Sequence, residues 1–228
     1  MEELRQRLIV IAGTLVIVIV ILYLLSNWWL PHVLHFILPP SIDLHAFGVT
    51  ELIQIYIKVI FFISLCVCTP VIFYHIWAFI IPGLEGKERY YILKYGVASL
   101  ILFIIGVLCA FFIVYPYIIN WANNLSHIMH VQPLIGLKQY LNELIRWLLT
   151  FGVLFQLPVL FKGLAYFQII DVYQLKHYRK YVYFFSFVLA SLIAPPDIIM
   201  NLILTLPIIL LFEISMVWVK WTRPKHNA

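Results

Sequence analysis

Four polar or ionisable side chains lie in or at the edge of long apolar stretches of the chain, namely Lys58, Gln156, Asp197 and Glu213. Charged groups are costly inside a membrane, and where they occur they usually meet a partner or line a polar pathway. Asp197 stands where a helix is predicted to begin, so helix capping is a sufficient alternative role. For Gln156 the alternative to a functional role is a hydrogen bond that joins two helices. Glu213 has no such alternative, and we predict that it has a buried partner or faces water.

A second group of acids lies among basic residues. Glu3 is close to Arg5 and Arg7, while Glu85 and Glu88 belong to a short polar loop that also holds basic side chains. Carboxylates on a basic surface offer charge-assisted hydrogen bonds to a cationic ligand. The alternative is that they are solvated charges at helix ends.

No combination of residues indicates catalysis or a metal centre. Two histidine pairs have the i, i+3 spacing that suits a metal on a helix, but no neighbouring Cys, Asp or Glu completes either set. The pairs are His32 with His35 and His127 with His130. The three cysteines fall inside apolar runs, and no nucleophile–base motif is present. We therefore predict a protein without enzymatic activity, metal or cofactor.

The composition indicates the kind of protein that must position these groups. Of 228 residues, 64% are hydrophobic and 11% are charged, whereas a soluble domain has about a quarter of its residues charged. A soluble enzyme, a disordered chain and a free nucleic-acid-binding domain are therefore excluded. The sequence predicts an all-α, polytopic membrane protein.

Apolar runs long enough for helices predict six transmembrane spans in a single domain over residues 1–228. Their approximate ranges are 8–25, 51–81, 95–119, 140–166, 181–193 and 198–219. Because an unperturbed bilayer core needs about 20 residues of helix, the fifth run is short. A short interfacial helix is predicted within 26–50, a polar stretch over 120–140, a kink at Pro70 and a break near Pro158.

Basic residues are distributed unevenly between the two sides of this predicted topology. The N-terminus, the loops after spans two and four with their flanks, and the C-terminal tail hold twelve of the fifteen Lys and Arg residues, against only Lys138 on the opposite side. Cytoplasmic loops of membrane proteins carry such an excess. Both termini are therefore predicted on the cytoplasmic side, or on the equivalent stromal or matrix side.

Several motifs together resemble the TatC family, the multi-spanning receptor of the twin-arginine translocation system, and the resemblance covers essentially the whole chain. They are Glu3-Leu4-Arg5-x-Arg7-Leu8, the run from Pro70 to Leu84 followed by Glu88-Arg89, the segment from Gly106 to Pro116, Phe151-Gly152 with Phe155-Gln156-x-Pro158, Arg179-Lys180-Tyr181, Pro195-Pro196-Asp197, and Pro207 with Glu213.

The resemblance implies a cup-shaped protein of six helices, the last two short, in a bacterial plasma membrane or in a mitochondrial inner or thylakoid membrane. It implies a Sec-independent translocase subunit that binds the twin-arginine signal peptides of folded cargo proteins, nucleates the translocation complex, and is driven by proton-motive force. The implied signal-peptide residues are Glu3, Arg5, Phe79, Pro82, Glu88 and Arg89. Implied partners are these signal peptides and single-span subunits of the TatA/TatB kind, with self-association in a larger complex.

Two features leave alternatives open. Gln156 occupies a place where many relatives carry Glu, so its role depends on whether that position works through charge or through hydrogen bonding. Lys58, Gln156 and Glu213 also fit a small-solute or ion secondary transporter, in which they line a pathway. Such transporters often have repeated halves, and no internal repeat is detectable in this chain.

Overall fold

The computed structural model of the chain is dominated by α-helices. It describes residues 2–38, 44–80, 88–131, 134–166, 179–193 and 198–221. In chain order the elements are α1 (Glu2–Leu24), α2 (Ser26–Ile37), β1 (Leu44–His45), α3 (Val49–Ile80), α4 (Glu88–Cys109), a π-helical turn (Ala110–Val114), α5 (Tyr115–Ile128), β2 (Ile135–Gly136), α6 (Leu137–Leu154), α7 (Leu157–Tyr166), α8 (Arg179–Ile193) and α9 (Ile198–Trp221). The predicted all-α class is confirmed.

Four helical stretches among the described residues are long and apolar enough to cross a membrane. They are Glu2–Leu24, Val49–Phe79, Leu93–Ile128 and Leu137–Ala165, and they coincide with the first four predicted spans. The fifth and sixth runs are covered by α8 and α9. With 15 residues, α8 is about 22 Å long, which is shorter than the bilayer core.

Several predicted helix boundaries agree with the structure, but both limits of the third predicted span differ, because α4 begins at Glu88 and the helical stretch continues beyond Ile119. The interfacial helix predicted within 26–50 is α2, and the predicted break near Pro158 separates α6 from α7. The predicted end of the third span at Ile119 is wrong, because α5 continues to Ile128 and makes the first part of the polar stretch predicted over 120–140 helical. Trp121, Leu125 and Ile128 recur at helical spacing, and this apolar periodicity outweighs the polar residues between them.

The chain divides into two compact units. Unit 1 comprises Met1–Ile101 and Tyr115–Leu148, and unit 2 comprises Leu102–Val114 and Leu149–Ala228.

In unit 1, α1 packs along α3. The Tyr23 and Tyr56 rings meet edge to face with centroids 5.9 Å apart, and Ser26 Oγ lies 2.6 Å from the Tyr56 hydroxyl. These contacts join the last turn of α1 to the early part of α3, so the two helices run antiparallel. The start of α1 and the end of α3 therefore lie at one end of unit 1, which we call the N-terminal end.

The opposite end of unit 1 carries a short parallel strand pair, and we call it the strand end. Leu44 pairs with Ile135 and His45 pairs with Gly136. The Tyr115 hydroxyl donates to the Tyr140 carbonyl at 3.0 Å. The pairing of β1 with β2 places the beginning of α6 beside the segment that leads into α3.

Unit 2 contains a close approach of α4 to α6. A Cβ atom on Gly106 would lie 2.6 Å from the Phe151 carbonyl oxygen, and one on Gly152 would lie 2.5 Å from the Phe103 ring. Glycine at both positions therefore lets the two backbones pack closely, as small residues do between membrane helices. Elsewhere in the unit, α9 packs against α7 and α8.

Candidate functional site

The first turn of α1 carries acids that suit a helix N-terminus. Glu2 and Glu3 lie there, where the partial positive charge of the helix stabilises carboxylates. Glu3 and Arg5 are both exposed. The two predicted site residues on α1 are therefore accessible at the N-terminal end of unit 1.

The end of α3 reaches the same place because α1 and α3 are antiparallel. Phe79 lies in the last turn of α3 and is 44% exposed, although a phenylalanine is ordinarily among the more buried residues. An exposed aromatic side chain beside accessible charges offers an apolar contact surface. Pro82, the next predicted residue, lies outside the described residues.

The beginning of α4 is held beside the end of α3 by a buried tryptophan. Trp77 Nε1 donates to Ser99 Oγ at 2.8 Å, and the Trp77 and Tyr95 rings stack with centroids 5.0 Å apart. Glu88 and Arg89 open α4 about two helical turns before Tyr95, and their side chains lie outside the described residues. The structure thus brings the starts of α1 and α4 and the end of α3 to one end of unit 1.

In unit 2, Glu213 forms a closed set of polar contacts. Arg179 Nη2 lies 2.8 Å from Glu213 Oε2, and the Tyr183 hydroxyl donates to Glu213 Oε1 at 2.6 Å. Both carboxylate oxygens are therefore engaged by α8. Glu213 was predicted to have a buried partner or to face water; it has a partner, and the side chains of Arg179 and Glu213 are 37% and 30% exposed.

Gln156 lies in the turn between α6 and α7. Its backbone N–H donates to the Val153 carbonyl at 2.9 Å, and its side-chain Nε2 donates to the Gly152 carbonyl at 3.3 Å. The side chain is half-buried. The following Pro158 lacks an N–H, which explains why the helix breaks here.

Lys58 in unit 1 has a partner on a neighbouring helix. Its Nζ donates to Asn142 Oδ1 at 2.5 Å, which joins α3 to α6. Asp197, the fourth predicted intramembrane polar residue, lies outside the described residues.

Sequence reasoning missed the surroundings of Lys162. It assigned this cation to a cytoplasmic flank, whereas the structure buries it at 9% exposure with Nζ 4.0 Å from the centre of the Trp218 ring. The favourable cation–π contact compensates in part for the burial. Asn201 was also missed; it is buried, and its Oδ1 has no hydrogen-bond partner among the described residues. The only sequence signal for either was a polar side chain in an apolar helix.

Comparison with known proteins identifies the family. Residues 1–207 match the family model described as Sec-independent protein translocase protein (TatC). The chain is 36% identical over 217 residues to the Sec-independent protein translocase protein TatC of Listeria innocua serovar 6a, covering 95% of this chain and 88% of the relative. It is 32% identical over 213 residues to TatCy of Bacillus subtilis (strain 168), covering 93% and 84%.

A solved structure has the same fold. The crystal structure of the twin-arginine translocase receptor TatC in DDM superposes with a TM-score of 0.81 at 28% identity, over 95% of this chain and 97% of that chain. A second crystal structure of the twin-arginine translocase receptor TatC also gives a TM-score of 0.81, at 29% identity. This multi-pass membrane protein therefore belongs to the TatC family of Sec-independent protein translocase proteins.

Proposed function

We propose that this chain is the receptor subunit that binds twin-arginine signal peptides of folded cargo proteins. Glu3 and Glu88 provide the carboxylates, and Arg5, Phe79, Pro82 and Arg89 shape the site. The observation that carries the proposal is the convergence of the α1 and α4 starts at the N-terminal end of unit 1 beside the exposed Phe79.

The chemistry of the ligand fits such a site. Each guanidinium group of a paired arginine presents a planar fork of donors that a carboxylate accepts in a bidentate manner. Lysine has a single point charge and no fork, so a lysine pair is a poor substitute. The apolar part of the signal peptide then contacts the exposed aromatic surface beside Phe79.

The proposed topology follows from charge and length. Six spans in a single domain over residues 1–228 form a cup with two short final helices, and both termini lie on the cytoplasmic, stromal or matrix side. The membrane is a bacterial plasma membrane, or a mitochondrial inner or thylakoid membrane. The subunit is not an enzyme and carries no cofactor; it nucleates a translocation complex driven by proton-motive force.

Single-span partner subunits of the TatA/TatB kind are proposed to contact the intramembrane polar positions Lys58, Gln156, Asp197 and Glu213. The exposed face of α9 supports such docking, because Leu210, Ile214 and Val217 border a recess of about 380 Å³ that Glu213 also lines. An apolar helix face with a polar group beside it suits a membrane helix. Self-association of the subunit would complete the larger complex.

The alternative of a small-solute or ion transporter has less support. Lys58 and Glu213 are each engaged by a protein side chain. They are therefore not arranged as unpartnered groups along a pathway, and the family is that of a protein translocase.

The test is site-specific photocrosslinking in native membranes from a probe beside Glu88. An Arg-Arg signal peptide is compared with its Lys-Lys counterpart. We expect crosslinks to the Arg-Arg form that are lost with Glu3→Gln or Glu88→Gln, because either change removes a carboxylate partner of the guanidinium groups.

Neighbouring acids provide matched controls. Glu2→Gln and Glu85→Gln remove the same charge close by in the sequence and should leave the crosslink intact. Equal loss in these controls would show a general effect of surface charge, and equal crosslinking of both peptides would contradict the proposed site.

A further inference from the structure

The strand end of unit 1 contains an open recess of about 420 Å³ that the proposed function does not use. Charged and polar side chains of both signs line it. The lining includes Glu51, Lys138, Gln139, Asn142, Glu143 and Arg146. It lies at the end of unit 1 opposite to Glu3 and Phe79.

The length of α3 fits a recess at the depth of the lipid headgroups. Lys58 and Arg146 each lie nine residues after the start of their helix, about 13 Å along its axis. The 32 residues of α3 make a helix of about 48 Å, which exceeds a hydrocarbon core of about 30 Å by about 18 Å. When this excess lies at the strand end, the first turns of α3 project past the core, and Lys58 then lies near its boundary.

Contacts in the recess keep its polar groups in position. Lys58 bonds Asn142, and the backbone N–H of Phe47 donates to Glu51 Oε2 at 3.0 Å. Glu143 and Arg146 are exposed, and Lys138 is half-buried. These side chains therefore face the open space rather than the interior of the unit.

The lining carries equal numbers of the two charges. Lys138 and Arg146 are cations, while Glu51 and Glu143 are carboxylates. A purely anionic ligand would meet the cations but would also face repulsion from the carboxylates. A ligand that bears a negative and a positive group a few bonds apart satisfies both pairs.

We propose that this recess binds the headgroup of a zwitterionic phospholipid. The phosphodiester accepts hydrogen bonds from Lys138 and Arg146, and the cationic end of the headgroup lies against Glu143 and Glu51. The acyl chains extend along the exposed apolar surface of α3 beyond Lys58, where Phe61 lies three residues further along the helix. Arginine and lysine near helix ends reach the membrane interface readily, which favours this depth.

The first test measures lipid retention by native mass spectrometry of the purified full chain. The chain is incubated with an equimolar mixture of phosphatidylethanolamine, phosphatidylcholine and phosphatidylglycerol. We expect the two zwitterionic lipids to be retained over phosphatidylglycerol. The double variant Lys138→Gln/Arg146→Gln should lose at least about tenfold in affinity for them, because the loss of a single charge-assisted hydrogen bond already corresponds to about tenfold.

Two further variants separate a headgroup site from general charge attraction. Arg7→Gln/Lys94→Gln removes two cations elsewhere in unit 1 and should retain the lipids. Glu143→Gln should reduce the preference over phosphatidylglycerol, because the cationic end of the headgroup loses one of its two carboxylate partners. Equal losses in both double variants, or a preference for phosphatidylglycerol in the unaltered chain, would overturn the proposal.

A photoreactive probe at Gln139 identifies the occupant in native membranes. A phospholipid adduct is expected, and a protein adduct without lipid would overturn the proposal in favour of a partner interface. Inorganic phosphate should not displace the bound lipid at millimolar concentration, since the acyl chains also hold it. Displacement by phosphate alone would show a simple anion site instead. Neither result depends on signal-peptide crosslinking.

Discussion

Charged residues occur in both units, but their surroundings differ. In unit 2 both oxygens of the Glu213 carboxylate are engaged, by Arg179 at 2.8 Å and by the Tyr183 hydroxyl at 2.6 Å. In unit 1 the recess at the strand end exposes Glu143 and Arg146. The first arrangement engages both oxygens of its carboxylate within the unit, and the second leaves the Glu143 carboxylate exposed beside an open recess.

The difference indicates two uses of charged residues in this protein. A closed set joins helices and is costly to break, because one charge is then left without its partner. An open set contributes little to stability, since exposed ion pairs contribute about 0–1 kcal/mol, but it remains available for binding. Substitutions in the two regions should therefore have opposite consequences for stability and ligand retention.

The largest expected effect is that of Glu213→Ala. It leaves Arg179 without its carboxylate. Breaking a fully buried pair costs roughly 3–5 kcal/mol of unfolding free energy. Because the side chains of Arg179 and Glu213 are 37% and 30% exposed, we expect a smaller loss of about 2–3 kcal/mol. This loss is measured as the change in the free energy of unfolding in mixed detergent–SDS micelles.

The matched control lies in the open recess. Glu143→Ala removes an exposed carboxylate and should change the unfolding free energy by less than about 0.5 kcal/mol.

The double variant Arg179→Met/Glu213→Leu should recover much of the stability lost in Glu213→Ala, because it removes both charges together. Equal costs for the Glu213 and Glu143 variants would contradict the distinction between closed and open charges.

An intermediate effect is expected where helix packing is tight. Gly106→Ala places a Cβ atom 2.6 Å from a backbone oxygen, which cannot rotate away, so α4 and α6 must shift at a cost of about 1–3 kcal/mol. Thermal unfolding in detergent measures this loss.

Gly96 provides the control on the same helix. A Cβ atom there would have nothing within 4 Å, so Gly96→Ala should be neutral or should stabilise by up to about 1 kcal/mol through helix propensity. Equal losses at the two glycines would show that helix flexibility, rather than close packing, explains the need for glycine.

The smallest effect should come from the Lys58–Asn142 contact. Lys58 is exposed, so a double-mutant cycle with Lys58→Met and Asn142→Leu should give a coupling energy of about 0.5–1 kcal/mol. Measurement in the same micelles allows direct comparison with Glu213. A coupling as large as that of Arg179 with Glu213 would place Lys58 among the closed charges.

Local signals in the sequence predicted the helices and some of their limits. The apolar runs predicted the four long spans, Pro158 predicted the break between α6 and α7, and the isolated charge of Glu213 predicted a partner. Each follows from residues a few positions apart or from the cost of an unpaired charge in an apolar segment.

Contacts between distant residues were not predictable in this way. Lys162 and Trp218 lie 56 positions apart, and neither spacing nor composition indicates that they meet. The pairing of Leu44 with Ile135 joins strands of two residues each, too short for a periodic pattern. The exposed recess, likewise, depends on how α3 and α6 are placed side by side.

The π-helical turn at Ala110–Val114 has a consequence for insertions and deletions. Such a turn accommodates one more residue than an α-helical turn, and each residue rotates the following helix by about 100°. Deleting one residue there would restore regular α-helix but swing Tyr115 away from the Tyr140 carbonyl that accepts its hydroxyl. The number of residues in this segment is therefore fixed, because adding or removing even one would misplace Tyr115. Most of its side chains, in contrast, could be exchanged for others of similar size.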